Sequence, residues 1–300
     1  MPCLMDVSFP LLEPVPLRFC FASSPGEVTA TVEYMYRSIA AATTFSPRFL
    51  AVLSEAGRAA DYFGAPLQLI HVGEETAEKQ ERFANGLEQF RLPADTPIHW
   101  LAGEPARVIS ERARSLGSDL VVAGAIQSEQ GYRPFANDIS KQLLAEAPLD
   151  LFLFLRPREE AETIKNPAVL IDFSATSAEA LKQTIKLAKK NRSEKIVALH
   201  MLTTFEEHRL NSTPDAIDPE DKLDQFVLAH TDLEIPVETI VVRGNTGFSL
   251  CQYVQESKID LFVVTTGMPG VTQPVLSAQV EWLSQVIPCN VWVIRERATA

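Results

Sequence analysis

The sequence lacks several things that specialised chains need. Its four cysteines, Cys3, Cys20, Cys251 and Cys289, stand far apart. No Cys-x-x-Cys pair occurs and no Cys/His spacing suits zinc, so the expectation is reduced thiols and no metal site. No uninterrupted apolar run approaches the roughly 18 residues that cross a bilayer. The longest candidates, such as Leu149 to Leu155, are too short or broken by charge. The N-terminus carries Asp6, Glu13 and several prolines, with Arg18 its first basic residue. That is not a secretory signal, so a cytoplasmic location without a membrane partner is expected. No cluster of Lys and Arg relieves the formal net charge of −12. A field of that sign repels phosphodiester backbones and anionic lipid surfaces, so nucleic acid is not an expected partner. The enzyme signatures Gly-x-Ser-x-Gly, His-Glu-x-x-His and Gly-x-x-x-x-Gly-Lys-Ser/Thr are absent as well.

What is present is enough apolar material for real cores, 46% of 300 residues against 22% charged. That length suits about two domains. The sequence also repeats itself. Ala41-Ala42-Thr43-Thr44-Phe45-Ser46-Pro47 answers to Val169-Leu170-Ile171-Asp172-Phe173-Ser174-Ala175. Leu67 to Val72 answers to Ile196 to Met201, with His71 and His200 in matching places. Gly103-Glu104-Pro105 answers to Gly244-Asn245-Thr246. Asp119-Leu120-Val121-Val122 answers to Asp260-Leu261-Phe262-Val263, and Ala147-Pro148 to Ile287-Pro288. The order is kept while the spacing drifts, as small loop insertions would produce.

Each copy alternates short, continuous apolar runs with amphipathic stretches. Such runs are strands covered on both faces. Phe49 to Phe63 reads as a helix closed by Gly64. Thr176-Ser177-Ala178-Glu179 fits a capping box opening its counterpart. Five strands alternating with four helices imply a parallel sheet with right-handed crossovers, an α/β fold written twice. The expected division is an N-terminal extension over 1–37, one domain over 38–158 and a second over 159–300. The charged stretch Arg156 to Lys165, with Pro157, is the linker. Within the extension, Gly26 to Met35 has the composition of a strand.

These residues resemble the universal stress protein family in its tandem form. The carriers are Val169-Leu170-Ile171-Asp172-Phe173-Ser174, then Ala180-Leu181, then Ala198-Leu199-His200; Gly103-Glu104-Pro105-Ala106, then Ser118-Asp119-Leu120-Val121-Val122-Ala123-Gly124; and Ala147-Pro148. The resemblance implies two flavodoxin-like, Rossmann-like domains, each a five-stranded parallel sheet of order 3-2-1-4-5 with helices on both faces. It implies that they pack as a pseudo-dimer within the chain. The expected assembly is a monomer, or a homodimer through outer surfaces or the N-terminal extension.

Many members of that family bind ATP where the strand order reverses. Their phosphate pattern is Gly-x-x-Gly, nine residues, then Gly-Ser/Thr, because glycines let backbone N–H groups approach an anion at a helix N-terminus. In the first copy Thr44 replaces the strand-end Asp. Gly124 matches the first glycine, Gln127 replaces the second, and Asn137-Asp138 replaces Gly-Ser. A carboxylate at Asp138 would oppose a phosphate by about 1 kcal/mol at 4 Å even in water. The second copy keeps Asp172 and offers Gly267-Met268-Pro269-Gly270, with Thr265, Thr266 and Ser277 as hydroxyl donors, but lacks the final Gly-Ser pair. ATP is therefore expected in the second copy or not at all. His71 and His200 read as packing or capping residues at strand ends that face the cleft.

The expectation is a non-catalytic stress-response protein with degenerate nucleotide loops, acting through a protein partner or small ligand. The alternative is a nucleotide-binding switch with slow hydrolysis, in which Asp172 holds the base or ribose and Gly267, Gly270 and Ser277 flank the phosphates.

Overall fold

The structure, a computed structural model, describes residues 35–124, 138–155, 157–160, 162–213, 216–231, 234–244, 247–266 and 287–296. In chain order the first half runs β1 (Ile39–Thr43), α1 (Phe49–Phe63), β2 (Leu67–Val72), α2 (Ala77–Gln89), β3 (Ile98–Leu101), α3 (Pro105–Ser115), β4 (Leu120–Gly124), α4 (Asp138–Glu146) and β5 (Asp150–Phe154). The second runs β6 (Pro167–Leu170), α5 (Ala175–Asn191), β7 (Ile196–Leu202), α6 (Thr204–Asn211), α7 (Pro219–His230), β8 (Val237–Arg243), α8 (Gly247–Glu256), β9 (Leu261–Thr266) and β10 (Asn290–Arg295). The strand expected before Met35 lies outside the described residues.

The strands form one sheet, in the order β3-β2-β1-β4-β5-β10-β9-β6-β7-β8. Each half keeps the 3-2-1-4-5 sequence of neighbours, and the second is reversed because β5 and β10 meet antiparallel. Every other pairing among the described strands is parallel. The continuous apolar runs follow from this. Alternate strand residues point to opposite faces, and both faces are covered. Ile39, Ala41 and Val122 join one core cluster with α1, α2, α5 and α7. Ala40, Val121 and Ala123 join the other, with α3, α4 and α8.

The seam between halves is closed by side chains. At one end of the β5–β10 pair Asp150 accepts from the Arg295 amide at 2.8 Å. At the other, Asn290 Oδ1 accepts from the Leu155 amide at 3.1 Å. Beneath it the Trp292 indole donates to the Tyr36 hydroxyl at 2.8 Å, and that hydroxyl donates to Asp150 at 2.7 Å. All three side chains are buried, so this network ties the stretch before β1 to the last strand.

Two repeated sequence features acquire a structural reason. Asp119 accepts from the Arg37 and Ser38 amides, and Asp260 from those of Lys165 and Asn166. Each aspartate thus anchors the start of its half's central strand. Gly64 closes α1 in the left-handed conformation, as the sequence implied, and Arg192 closes α5 in the same way. The start of α5 differs from expectation. Ser174, not Thr176, is the N-cap and accepts from the Ser177 amide at 3.0 Å. Ser174 combines extended backbone with a hydroxyl that reaches that amide, which is what an N-cap requires.

Candidate functional site

In an open parallel sheet the crevice for ligands lies beyond the carboxyl ends of the strands where their order reverses. Here that is the end of β1 in the first half and of β6 in the second. The two ends are built alike. His71 Nδ1 lies 3.1 Å from the Thr43 carbonyl oxygen and His200 Nδ1 lies 2.8 Å from that of Ile171. A carbonyl only accepts, so both rings carry hydrogen on Nδ1, and their Nε2 atoms are acceptors when neutral. Phe45 packs on His71 at 4.8 Å between ring centroids, and Phe173 on His200 at 4.6 Å. A cation covers each phenylalanine, Arg82 on Phe45 at 4.7 Å and Lys222 on Phe173 at 3.9 Å.

Beyond that shared frame the halves diverge. In the first, Phe83 stacks on Phe45, Phe49, His71 and Trp100, with centroids 5.0 to 6.2 Å apart. Trp100 also stacks on His71 at 5.1 Å. These rings pack over the ends of β1 and β2, and a wide hollow of about 520 Å³ lies to their side, against Trp100 at the ends of β2 and β3. The second half has Ser177 where Phe49 stands, Leu223 for Phe83 and Val241 for Trp100, as the matched cap, helix faces and strand registers show. Beside them, at the ends of β6 and β7, lies a cleft of about 280 Å³ walled by Asp172, Phe173, His200 and Met201, just below the roughly 300–1,000 Å³ typical of ligand pockets.

Asp172 lies in this cleft and accepts from the Ser174 amide at 2.9 Å. Burial alone would raise its carboxyl, but hydrogen bonds from Ser174 and Ser177 outweigh that and hold its pKa below the usual carboxylate range. Phe173, next along the chain, has φ of 65°. A bulky residue in that region is strained and persists only where its surroundings fix it. Here the ring is held by His200, Lys222 and Phe226, the last at 5.5 Å.

Helix α6 forms a further wall, contributing Glu206, Arg209 and Leu210. The first half has no counterpart between β2 and α2. Thr203 and Glu206 close a capping box at its start. Burial would raise the Glu206 carboxyl, and the Thr203 amide and hydroxyl outweigh it, so its pKa lies low. Arg243 on β8 pairs with Glu207 of α6 at 3.3 Å and Glu220 of α7 at 2.6 Å. Sequence reasoning missed α6, although Thr203-Thr204-Phe205-Glu206 carries the box that could have revealed it.

Of the other residues singled out in the sequence, Thr265 and Thr266 end β9. Thr266 is buried, and its hydroxyl accepts from Arg295. Gly124 ends β4, where an added Cβ would lie 2.7 Å from Val52 Cγ2 and 3.8 Å from Pro157 Cγ. Asp138 opens α4. Gly267, Gly270, Ser277, Gln127 and Asn137 lie outside the described residues. Among the described residues no group of three or more His, Cys, Asp or Glu could hold a metal ion, and no helix is long and apolar enough to cross a membrane.

Comparison with known proteins bears on the second half by sequence and on both by fold. Residues 164–295 match the model of the universal stress protein family. No curated protein matches the chain. The structure of a universal stress protein from Archaeoglobus fulgidus DSM 4304 covers 86% of this chain and 98% of its own, at 14% identity and a TM-score of 0.62. A functionally unknown protein from Pseudomonas aeruginosa PAO1 covers 87% of this chain and 93% of its own, at 12% identity and a TM-score of 0.61. At such identities the likeness is one of fold.

Proposed function

We propose, from the match of residues 164–295 to the universal stress protein family and the fold the chain carries twice, a non-catalytic stress-response protein that works by holding a small polar ligand in the cleft of its second half. The division follows the repeat, with 38–158 and 159–300 as the two copies. The observation that carries the reading is the asymmetry of the strand ends. The same frame is packed with Phe49, Phe83 and Trp100 in one copy, whose hollow lies to the side with Glu74 and Glu75 and no cation in its lining, and carries in the other a cleft in which carboxylates and cations face one another.

The lining supports a class of ligand. Asp172 and Glu206 set two carboxylates against the cations of Arg209 and Lys222. Phe173, Met201 and Leu210 supply apolar walls. A charge-balanced cleft in a chain of net charge −12 suits an uncharged or zwitterionic molecule better than a polyanion. Native mass spectrometry of the purified chain tests this. A bound small molecule on the wild type that is absent from Val241→Trp is the expected result. A bare mass for both, or equal retention by both, overturns it.

A second reading is favoured by Asp172. An ionised carboxylate at the strand end accepts from the donors of a base or ribose, so the second copy would hold a nucleotide and hydrolyse it slowly. Saturable thermal stabilisation by ATP with magnesium, lost in Asp172→Ala, would decide for this reading. No shift with ATP leaves the first.

A further inference from the structure

The hollow of the first copy has a chemistry of its own. It measures about 520 Å³, within the roughly 300–1,000 Å³ of ligand pockets. Val72, Trp100 and Leu101 give it apolar walls, and the exposed Glu74 and Glu75 line it as well. Between these two sets Gly73 is bare. A Cβ there would lie 3.0 Å from His71 Nε2 and 3.4 Å from Lys79 Nζ, so both atoms border the hollow through this glycine. His71 is only 5% exposed. Its Nδ1 is spent on the Thr43 carbonyl, and its Nε2 has no hydrogen-bond partner among the described residues. A buried acceptor without a donor is costly, and the hollow is where a donor can reach it. Burial, with Lys79 beside it, lowers the imidazole pKa, so Nε2 stays an acceptor at neutral pH.

We propose that this hollow binds an amphiphilic amine, with its ammonium at Glu74 and Glu75, its apolar body along Trp100 and a neutral hydrogen-bond donor at its inner end on His71 Nε2. The charges set that orientation. No cation belongs to the lining, and Glu75 accepts only from the neutral amide of Gln80. The net charge of −12 gathers cations around the chain. Lys79, which donates to the Glu74 carbonyl at 2.7 Å, repels an ammonium from the inner end and leaves that end to an uncharged donor. An anion would meet two carboxylates. The second copy's cleft sets Arg209 and Lys222 against its acids, so the copies differ in the ligand they take as well as in shape.

Three probes separate the contributions. Phenethylamine, phenethyl alcohol and phenylacetate share a ring and end in an ammonium, a hydroxyl and a carboxylate. Each is titrated into the full chain while nuclear magnetic resonance follows the Trp100 indole N–H, His71 Nε2 and the Met201 methyl. Phenethylamine should shift Trp100 saturably, the alcohol should bind about tenfold more weakly, the scale of two nearby charges in salt, and phenylacetate should not bind. The double variant Glu74→Gln with Glu75→Gln alters only exposed side chains. It should bring the amine down to the alcohol's affinity without moving the denaturation midpoint. No shift at Trp100, equal binding of amine and alcohol, or undiminished binding by the variant overturns the proposal. So does a shift at Met201 with Trp100 unmoved, which places the amine in the second copy's cleft. Tyramine adds a phenol hydroxyl to phenethylamine and should bind more tightly while moving the His71 Nε2 resonance. Identical affinity and an unmoved His71 would remove the inner anchor and sink the orientation argued for it.

Discussion

The two copies share a frame to the level of single hydrogen bonds and differ in what they leave open. Each has a histidine on the carbonyl that ends its central strand, a phenylalanine stacked on that histidine and a cation over the phenylalanine. Yet the first copy packs Phe49, Phe83 and Trp100 beside the end of β1 and sets Val52 close against Gly124. The second has Ser177, Leu223 and Val241 in those places, Ala180 for Val52, and an added wall in α6. Duplication thus kept what the sheet needs, while the residues beyond the strand ends diverged, packing rings over β1 in one copy and placing a cleft over Asp172 in the other. A fold persists when the site grafted on it changes.

The largest expected effect tests whether the first strand end is core. Phe83 is fully buried among four rings. Phe83→Ala should cost about 3–5 kcal/mol in chemical denaturation, the usual loss for a buried phenylalanine. A cost near zero would mean that the rings collapse freely and that the first copy is as open as the second.

Next in size is the pH dependence set by Glu55, which the second copy lacks, since the equivalent residue is Gln183. The folded carboxyl titrates at about 7 against 4.5 unfolded. Between those values the folded state binds more protons, so stability is full below pH 4.5 and falls as pH rises towards 7. The loss is on the order of 3 kcal/mol. Glu55→Gln should flatten this slope in denaturation curves recorded across the window. An unchanged slope would place the titrating group elsewhere.

Val241→Trp puts into the second copy the ring that fills the first. Overpacking should cost about 1–3 kcal/mol while abolishing ligand retention. If the variant retains ligand, the rings are not what separates the copies. Asp172→Asn is smaller, about 1 kcal/mol, since Asn still accepts from Ser174 but without charge. Its sign is opposite to that of Glu55. The Asp172 carboxyl is depressed when folded, so its contribution is present above its unfolded value and lost as pH falls. The wild type and Asp172→Asn should therefore converge in acid denaturation.

Much of this was legible in the sequence where one residue decides and very little where several must meet. The strands declared themselves as continuous apolar runs, and α1 ended at Gly64 as its left-handed cap requires. Asp172 was recognisable through the family resemblance, as the acid that keeps its strand-end position. The aromatic filling was not, because Phe49, Phe83 and Trp100 come from three elements and touch only after folding. Nor was the φ of 65° at Phe173, since no local residue signals it. Helix α6 escaped because its apolar residues share no face: Phe205 is 77% exposed while Leu210 lines the cleft. The start of α5 was misplaced because Thr176-Ser177-Ala178-Glu179 imitates a cap that Ser174 already supplies.

The smallest expected effect concerns that added wall. Arg243 is half-exposed and bridges Glu207 and Glu220, joining α6 and α7 to the edge strand β8. Exposed ion pairs contribute little to stability, so Arg243→Ala should leave the denaturation midpoint almost unmoved. It should nonetheless weaken ligand retention, because α6 buries little of its own surface and depends on this tether for its position over Asp172. If Arg243→Ala instead lowered the midpoint as much as Phe83→Ala, α6 would be part of the core rather than a wall laid on it. The second copy would then be closed in its own fashion, and its difference from the first would be one of shape and not of access.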